Sequence, residues 1–492
     1  MSIKSEILTK RVGKILLNDI SKNEINNVLK QIAKSKDKPA LLSLKIKIHP
    51  TIEQQKVLWA LAENCRLIYN FALEERKKWW EKNKDLPKKQ REKIPSYISQ
   101  QNQLPCLKKE YPQYQQNYSK TLQMSLRQLN ADFKSFYVLK DKGFTNANPP
   151  RFKSKKYFTT LFYNQSGFKI KDNHITFTHN YPTKERKKID LTFELQNIDD
   201  YSGKNIKQVT IFQNHKSKEF HLIIIYEKET KTYKDNNIYQ AIDLGVMNLI
   251  AGVNNHAGKI LIIKNNRVDK YWQPKIEELQ AKRDRCLKGS NRWNWYNYKM
   301  TAIIRKQTNQ QKDFQHKISK KIIEKTKAQT IIIGDLSVKQ MVKKIRGDRK
   351  NNRSLKRTMQ NTGCLSRFTR FLTYKAELAG KKVIRISEKR TTKRCCYCME
   401  KKARHLSERI IFCEKCGMSI NRDVNGAVNI LQRFLAILSL SHKRPLVRQQ
   451  LLKNFRKLFF AINSQPSNES FSFIRVGRTR KKSFDRSKFC GL

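Results

Sequence analysis

Two cysteine knuckles limit what this chain can fold into more than any other feature. Cys395-x2-Cys398 is followed, after 14 intervening residues, by Cys413-x2-Cys416, with Gly417 placed where a tight turn is wanted. Two knuckles at this separation can set four thiolates tetrahedrally around one Zn²⁺, and with every position filled by protein such an ion is structural. Cys396 is an extra thiol beside the first ligand, but the CxxC spacing selects Cys395. Of the chain's 10 cysteines, the cluster between 395 and 416 speaks for metal binding in a reducing compartment rather than for a disulfide framework.

Charge limits the partners. Lys and Arg number 104 against 41 Asp and Glu, a formal net charge of +63. A surface of that sign calls for a polyanion, and nucleic acid neutralises many cations at once through counterion release. With 38% hydrophobic and 10% aromatic residues the chain is too apolar for a disordered basic tail, so a large basic enzyme or scaffold is expected. No apolar run reaches 18 residues, which argues against a membrane span, and the start lacks the pattern of a secretory signal.

The periodicities order the chain as an α/β multidomain protein. Residues 1–40 are a polar extension of unknown role. LLSLKIKIH alternates like a half-buried strand, and the following segment places Val57, Leu61, Cys65, Ile68 and Ala72 at helical spacing. A second helix, Ser119 to Tyr137, carries Leu122, Leu126, Leu129, Phe133 and Phe136 on one stripe. Residues 151–228 read as short strands of a small barrel or sandwich. From Tyr239 the order of strands and helices fits an RNase H-type fold, with a long basic helical stretch at 267–327. The tail, 436–492, holds the apolar patch LFFAI and a final stretch expected to be disordered.

Two acids stand out against this frame. Asp243 lies inside the apolar strand AIDLGV, where a carboxylate is costly unless it is paired or holds a cation. Asp423, in NRDVNGAVNIL, opens a helix; alone it reads equally well as a first-turn acid favoured by the dipole. Together they suit two-metal phosphodiester cleavage, which needs several carboxylates converging on paired Mg²⁺ ions.

AIDLGV, IIIGDLSV, the CxxC pair and NRDVNGAVNIL, in this order, resemble the three split RuvC motifs and zinc ribbon of the TnpB family of transposon-encoded, RNA-guided nucleases. KIKIHPTIEQQ, CRLIYNFALEERK, PRFKSKK, DFQHKISKKI and FLTYKAELAGKKV resemble TnpB stretches as well. The resemblance covers roughly 41–435. It implies a β-barrel wedge (41–50 and 146–236) with an inserted helical recognition lobe (51–145), then an RNase H-like RuvC domain (237–390 and 421–435) carrying the four-cysteine zinc ribbon (391–420). It also implies a guide RNA from the transposon end, a double-stranded DNA target beside a short adjacent motif, two catalytic Mg²⁺ and one structural Zn²⁺.

One departure matters. The second RuvC motif ordinarily places Glu before Asp-Leu, and here that position is Gly334. Three outcomes stay open. Glu377, in YKAELAG, matches the place of a relocated Glu in some relatives and lies at the edge of a helix's apolar stripe. Asp335 would need a bulge or twist, since adjacent strand residues point to opposite faces. Otherwise the protein is a nuclease-inactive, RNA-guided DNA-binding protein. The expected catalytic set is Asp243, Glu377 and Asp423.

Tyr69 and Asn70, with Thr121, Gln123 and Gln128, lie on helices that resemble the region reading the adjacent motif. Arg151 and Lys153 are expected at RNA or DNA phosphates, and Arg422 at a phosphate or a nearby acid. Tyr69, Trp79, Trp80, Trp293, Trp295 and Tyr296, interleaved with Lys and Arg, suit stacking on bases as well as packing. Localisation is expected to be cytoplasmic and nucleoid-associated in a bacterium, or nuclear in a eukaryote.

Overall fold

The computed structural model describes residues 20–441 apart from 35–38, 88, 165, 182–188, 196–202, 216, 257–259, 336–364 and 403–407. The patch LFFAI and the last residues of the tail lie outside the described residues. The chain divides into two compact units: residues 39–229, and a second unit joining the N-terminal segment to residues 230 onward. The N-terminal helix α1 (Lys22–Ala33) belongs to the second.

In the first unit β1 (Ala40–Ile48), β2 (Leu161–Asn164), β6 (Ile206–Gln213) and β7 (Phe220–Lys228) form an antiparallel sheet in the order β1-β7-β6-β2. The strand β3 (Phe168–Lys171) pairs with β4 (His174–Phe177), and β4 with β5 (Leu191–Glu194), as a separate sheet. Thr51 starts the long helix α2 (Ile52–Asn83) with a capping box: Thr51 Oγ1 accepts from the Gln54 N–H, and Gln54 Oε1 accepts from the Thr51 N–H. The expected stripe Val57, Leu61, Cys65, Ile68 and Ala72 is buried in full. Two short helices, α3 (Tyr97–Asn102) and α4 (Leu104–Glu110), lead to α5 (Ser119–Asp141). On α5 Leu122, Leu126 and Leu129 are buried, whereas Phe133 and Phe136 are half-buried because the helix runs past the end of the core.

The second unit is built on a five-stranded sheet in the order β10-β9-β8-β11-β12. The antiparallel part is β8 (Tyr239–Leu244), β9 (Asn248–Asn254) and β10 (Ile260–Lys264). The chain then forms a hairpin of α6 (Val268–Asp284) and α7 (Asn291–Lys325). Next β11 (Thr330–Gly334) lies parallel to β8, α8 (Leu365–Leu378) follows, and β12 (Lys382–Ile386) lies parallel to β11. This is the strand order that the RNase H-type reading requires. A small ribbon, β13 (Ile410–Phe412) with β14 (Ser419–Asn421), precedes the last helix, α9 (Arg422–Ser441).

Strand alternation divides the side chains between two cores. Tyr239, Ala241, Ile332, Ile384 and Ile386 pack with α9 and α1, while Ile242, Leu244, Ile331 and Ile333 pack with α7 and α8. By the same alternation Asp243 and Gly334 face α9, and Asp335 faces the α8 side. Among the described residues no helix is long and apolar enough to cross a membrane.

Gly380 makes the turn from α8 into β12 possible. Its φ is +71°, and a Cβ there would lie 2.9 Å from Lys231 Cβ and 3.0 Å from the Thr232 carbonyl oxygen. Gly380→Ala is expected to destabilise the second unit by about 1–3 kcal/mol through backbone strain and the close approach. Denaturant unfolding checks this, and an unchanged midpoint would contradict the packing described.

Candidate functional site: an acidic centre and a four-thiolate ribbon

The register of the parallel strands decides which acids can meet. Gly334 pairs with Ile386, and the Asp335 N–H donates to the Ile386 carbonyl at 2.7 Å, so the C-terminal ends of β11 and β12 lie side by side. β8 runs in step with them, Ile333 opposite Ile242, which brings Asp243 to the same edge. Glu388 follows β12 by two residues and is therefore delivered to that edge too. A Cβ on Gly334 would overlap Glu388 Oε1, Cδ and Cγ: the Glu388 carboxylate occupies the space where a side chain at 334 would begin. The glycine that removes the expected carboxylate is the glycine that makes room for another.

The fourth wall is α9. Asn421 Oδ1 accepts from the Asp423 N–H at 2.9 Å, setting Asp423 in the first turn, where the helix dipole favours an anion. Gly426, one turn on, lets the helix approach β8; a Cβ there would sit 2.5 Å from Asp243 Oδ2. Asn248 Nδ2 donates to Asp423 Oδ2 at 2.8 Å and orients that carboxylate. Burial, and then the charge of Asp423, push the Asp243 carboxyl well above the usual range, with Arg422 opposing. Burial, then Asp243 and Asp335, push Glu388 up to about 9. Glu388 Oε1 is cut off from solvent and accepts no hydrogen bond. A hard divalent cation fits such a donor set, since it neutralises repelling oxygens and gives the orphaned one a partner.

The register does not bring Glu377 to this edge. α8 runs back along the sheet, so its last turn lies beside the start of β12, whose Lys382 pairs with Thr330. Glu377 therefore sits at the opposite edge from Asp243, about 13 Å of strand away at 3.3 Å per residue. Asp335 is likewise turned to the other face, where with Leu244, Gly334, Leu365, Ser366, Thr369, Arg370 and Arg385 it lines a cavity of about 220 Å³. Sequence reasoning missed Glu388, although the strand pattern VIRIS ending just before it was a usable signal.

The four knuckle cysteines converge as expected, their sulfurs all within 4.8 Å of one another. Cys395 and Cys416 Sγ are 3.6 Å apart, and Cys398 and Cys413 Sγ 3.5 Å. Tetrahedral Zn²⁺ at Zn–S bonds of about 2.3 Å implies sulfur separations near ~3.8 Å, so the set fits Zn²⁺. Cys396 is excluded: it is buried against Met418 Sδ at 3.8 Å. Gly417 takes φ +70°, the tight turn anticipated behind the second knuckle.

The nucleic-acid candidates divide. Tyr69 is 2% exposed and donates its hydroxyl to Asp132 Oδ2 at 2.8 Å, so it is a core residue rather than a stacking surface. Lys153 lies over its ring at 3.8 Å. Both ends of the Asn70 amide are spent on the Lys153 backbone, donating to its carbonyl at 2.9 Å and accepting from its N–H at 2.8 Å. These three residues thus form an internal brace. Thr121 is buried and Gln128 donates to Asp132 Oδ1, whereas Gln123 and Arg422 are half-buried and Arg151 is exposed. Among the aromatics, Trp80 and Trp295 are exposed, Trp295 beneath the Lys299 ammonium at 3.5 Å.

The second unit is thus an α/β domain on a mixed sheet, with an acidic centre at its strand ends and a four-thiolate ribbon, and known proteins resemble it. Residues 366–430 match a Cas12f1-like TNB domain, residues 223–345 a probable transposase of OrfB/IS605 type, and residues 40–85 its helix-turn-helix domain. Over those last residues the fold is a strand and a single long helix. TnpB-like proteins of Acanthamoeba polyphaga mimivirus are 37% identical over 128 residues, 26% of this chain and 24% of theirs, so the match spans about a quarter of those relatives. A Streptomyces pristinaespiralis protein whose name describes an RNA-guided DNA endonuclease is 25% identical over 80% of this chain and 89% of its own. The fold resembles Cas12f1 in a complex with sgRNA and target DNA, with a TM-score of 0.53, 16% identity, and 77% of this chain and 83% of that one covered. The chain thus carries matches to the OrfB/IS605-type and Cas12f1-like domain models and is similar to TnpB-like proteins.

Two outcomes test the geometry. Cys398→Ser is expected to lower bound zinc, measured by elemental analysis of the purified chain, to a small fraction of the wild-type content. Glu388, raised from its ordinary 4.5 to about 9, keeps in the native state a proton that the unfolded chain releases. Its contribution to stability is therefore intact below about pH 4.5 and falls as pH climbs towards 9. In EDTA, the stability of wild type relative to Glu388→Gln should decline over that window; a gap independent of pH, read by thermal unfolding, would count against this placement.

Proposed function

We propose that the chain is an RNA-guided DNA endonuclease of the TnpB type, with Asp243, Glu388 and Asp423 as its metal-holding acids. The observation that carries this reading is the Glu388 carboxylate lying against Gly334, because it completes a three-acid set that the second motif alone leaves short. When bound, paired Mg²⁺ ions supply water activation and stabilisation of the charge that develops on the scissile phosphate. Asp243 and Asp423, from a strand and the first turn of a helix, would hold the cations between two rigid elements. Glu388 closes the third side, Asn248 fixes the Asp423 carboxylate, and Arg422 offsets part of the local negative charge and is placed to meet a phosphate.

The remaining assignments follow the family. Residues 41–50 and 146–236 would form the wedge and 51–145 the recognition lobe; 237–390 and 421–435 would form the nuclease, and 391–420 the ribbon. Sequence choice would then be delegated to pairing between a guide RNA from the transposon end and the target strand, with the basic surface holding backbone phosphates. The rival is guided DNA binding without cleavage; its motive, the missing acid at 334, weakens once Glu388 is counted.

Incubating the protein, its co-purified RNA and a matched plasmid with Mg²⁺ separates the two. Asp243→Ala and Glu388→Ala should each slow cutting by roughly 1,000-fold, the several kcal/mol that such charge stabilisation supplies, while RNA stays bound. Glu377→Ala should cut at close to the wild-type rate. Intact plasmid under tight binding by the wild-type protein would favour the rival, and normal cutting by Glu388→Ala would remove Glu388 from the set.

A further inference from the structure

Glu388 lies just past the end of a strand, where no ladder of backbone hydrogen bonds fixes it; a local turn is closed on its carbonyl by Thr391, and the other bonds that flank it come from far away in sequence. The Ser387 N–H donates to Glu24 Oε1 at 3.3 Å. On the other side of Glu388, the Lys389 carbonyl accepts from Arg433 Nη1 at 3.2 Å. Glu24 and Arg433 are bound to each other two-fold, Nε to Oε1 at 3.0 Å and Nη2 to Oε2 at 2.8 Å. Their side chains are only 16% and 5% exposed, so this fork is shielded from water and salt. One fork therefore grips the backbone on both flanks of the acid.

The rest of α1 locks onto β12 in the same way. β12 is an edge strand, and the Gln31 carboxamide pairs with its outward backbone at Arg385, accepting from the N–H at 2.9 Å and donating to the carbonyl at 3.2 Å. Lys382 Nζ donates to the Ile32 carbonyl at 2.7 Å, and Val28 is buried in the core shared with α9. A helix that reproduces strand pairing on an exposed edge both blunts that edge and fixes its register. Helix α1 and Arg433 lie outside the stretches that the family models match.

We infer that the N-terminal helix is a positioning element of the nuclease centre, in which Glu24, through Arg433 and the Ser387 amide, holds Glu388 at its divalent cation. This rests on the reading of Glu388 as the third acid. The side-chain bonds of Glu24 run to Arg433 and to the Ser387 amide, not to a carboxylate, so it is a positioning residue. Loss of such an outer partner weakens metal affinity by roughly 10–100-fold in comparable sites.

The test uses the full chain with its co-purified RNA. Glu24→Ala should raise the Mg²⁺ concentration for half-maximal cutting about 10-fold, with the rate largely recovered at saturating Mg²⁺. Hydrogen exchange of the peptide spanning 384–392 should accelerate about 10-fold or more in the same variant without Mg²⁺. Glu24→Gln, which keeps an acceptor for Ser387 and loses the charge, should fall between the two and guards against an Ala variant that fails to fold. A folded variant whose melting temperature drops while its Mg²⁺ midpoint and local exchange stay at wild-type values would overturn the inference, because that is the signature of a purely structural helix. Glu388→Gln is the separate control: no cutting at any Mg²⁺ concentration supports the reading of the third acid, whereas wild-type cutting sinks that reading whatever Glu24 does.

Discussion

Burial and neighbouring carboxylates push up Asp243, which has Asp423 beside it, and Glu388, which has Asp243 beside it, and the three acids are held together by elements that cannot separate without breaking a core. Asp243 is fixed by β8, whose neighbours Ile242 and Leu244 anchor one core and Ala241 the other. Asp423 is fixed by α9, which buries Val424, Ala427, Val428, Leu431 and Phe434 against the same sheet. Each of the larger apolar groups contributes on the order of 1.5–3 kcal/mol on burial. The apolar contacts thus outweigh the repulsion and leave it standing, as unspent affinity for a cation.

Helix α9 also ties this centre to the ribbon. Asn425 Oδ1 accepts from the Cys396 N–H, while Asn425 and Asn429 Nδ2 both donate to the carbonyls of Thr391 and Arg394. Gln432 Nε2 donates to the Cys396 carbonyl. The first knuckle is therefore bonded to the helix that begins with Asp423, and the segment from Glu388 to Arg394 is bonded to it as well. With the thiolates gathered, one end of this polar run is fixed by metal coordination; without them, buried amides would lose the partners that make their burial tolerable. A ribbon that performs no chemistry still bears on where two of the three acids stand.

The legible part of the sequence was the part encoded in local spacing. The CxxC pairs, the stripe from Val57 to Ala72, the strands of the second unit and the two aspartates all depend on residues near one another in sequence. Glu377 and Glu388 could not be told apart by helical periodicity, which reports which face of a helix is buried and not which end of the sheet it reaches. Connection rules carry that information. A helix joining two parallel strands ends where the second strand begins, so an acid in its last turn is at the wrong edge, and an acid just past the second strand is at the right one. Tyr69, Asn70 and Lys153 misled for another reason: an aromatic ring and an amide among lysines look the same in sequence whether they face RNA or one another. Helix α1 gave no sign of its partner, because Glu24 and Arg433 meet across 409 positions.

The exclusion between a side chain at 334 and the carboxylate of Glu388 changes how the third acid is held. An acid at 334 would ride on a central strand, paired on both sides and placed by the sheet itself. An acid at 388 stands beyond an edge strand, in a turn where Thr391 donates both its N–H and its hydroxyl to the Glu388 carbonyl and Arg390 takes a left-handed φ of +69°. Its position is then the sum of several side-chain contacts, each net worth only about 0.5–1.5 kcal/mol, or about 1.5–3 kcal/mol where charge assists. Such an arrangement is more easily disturbed from a distance than a strand position is. It also gives the segments that supply those contacts, at either end of the second unit, a grip on the centre that a carboxylate on β11 would not have needed.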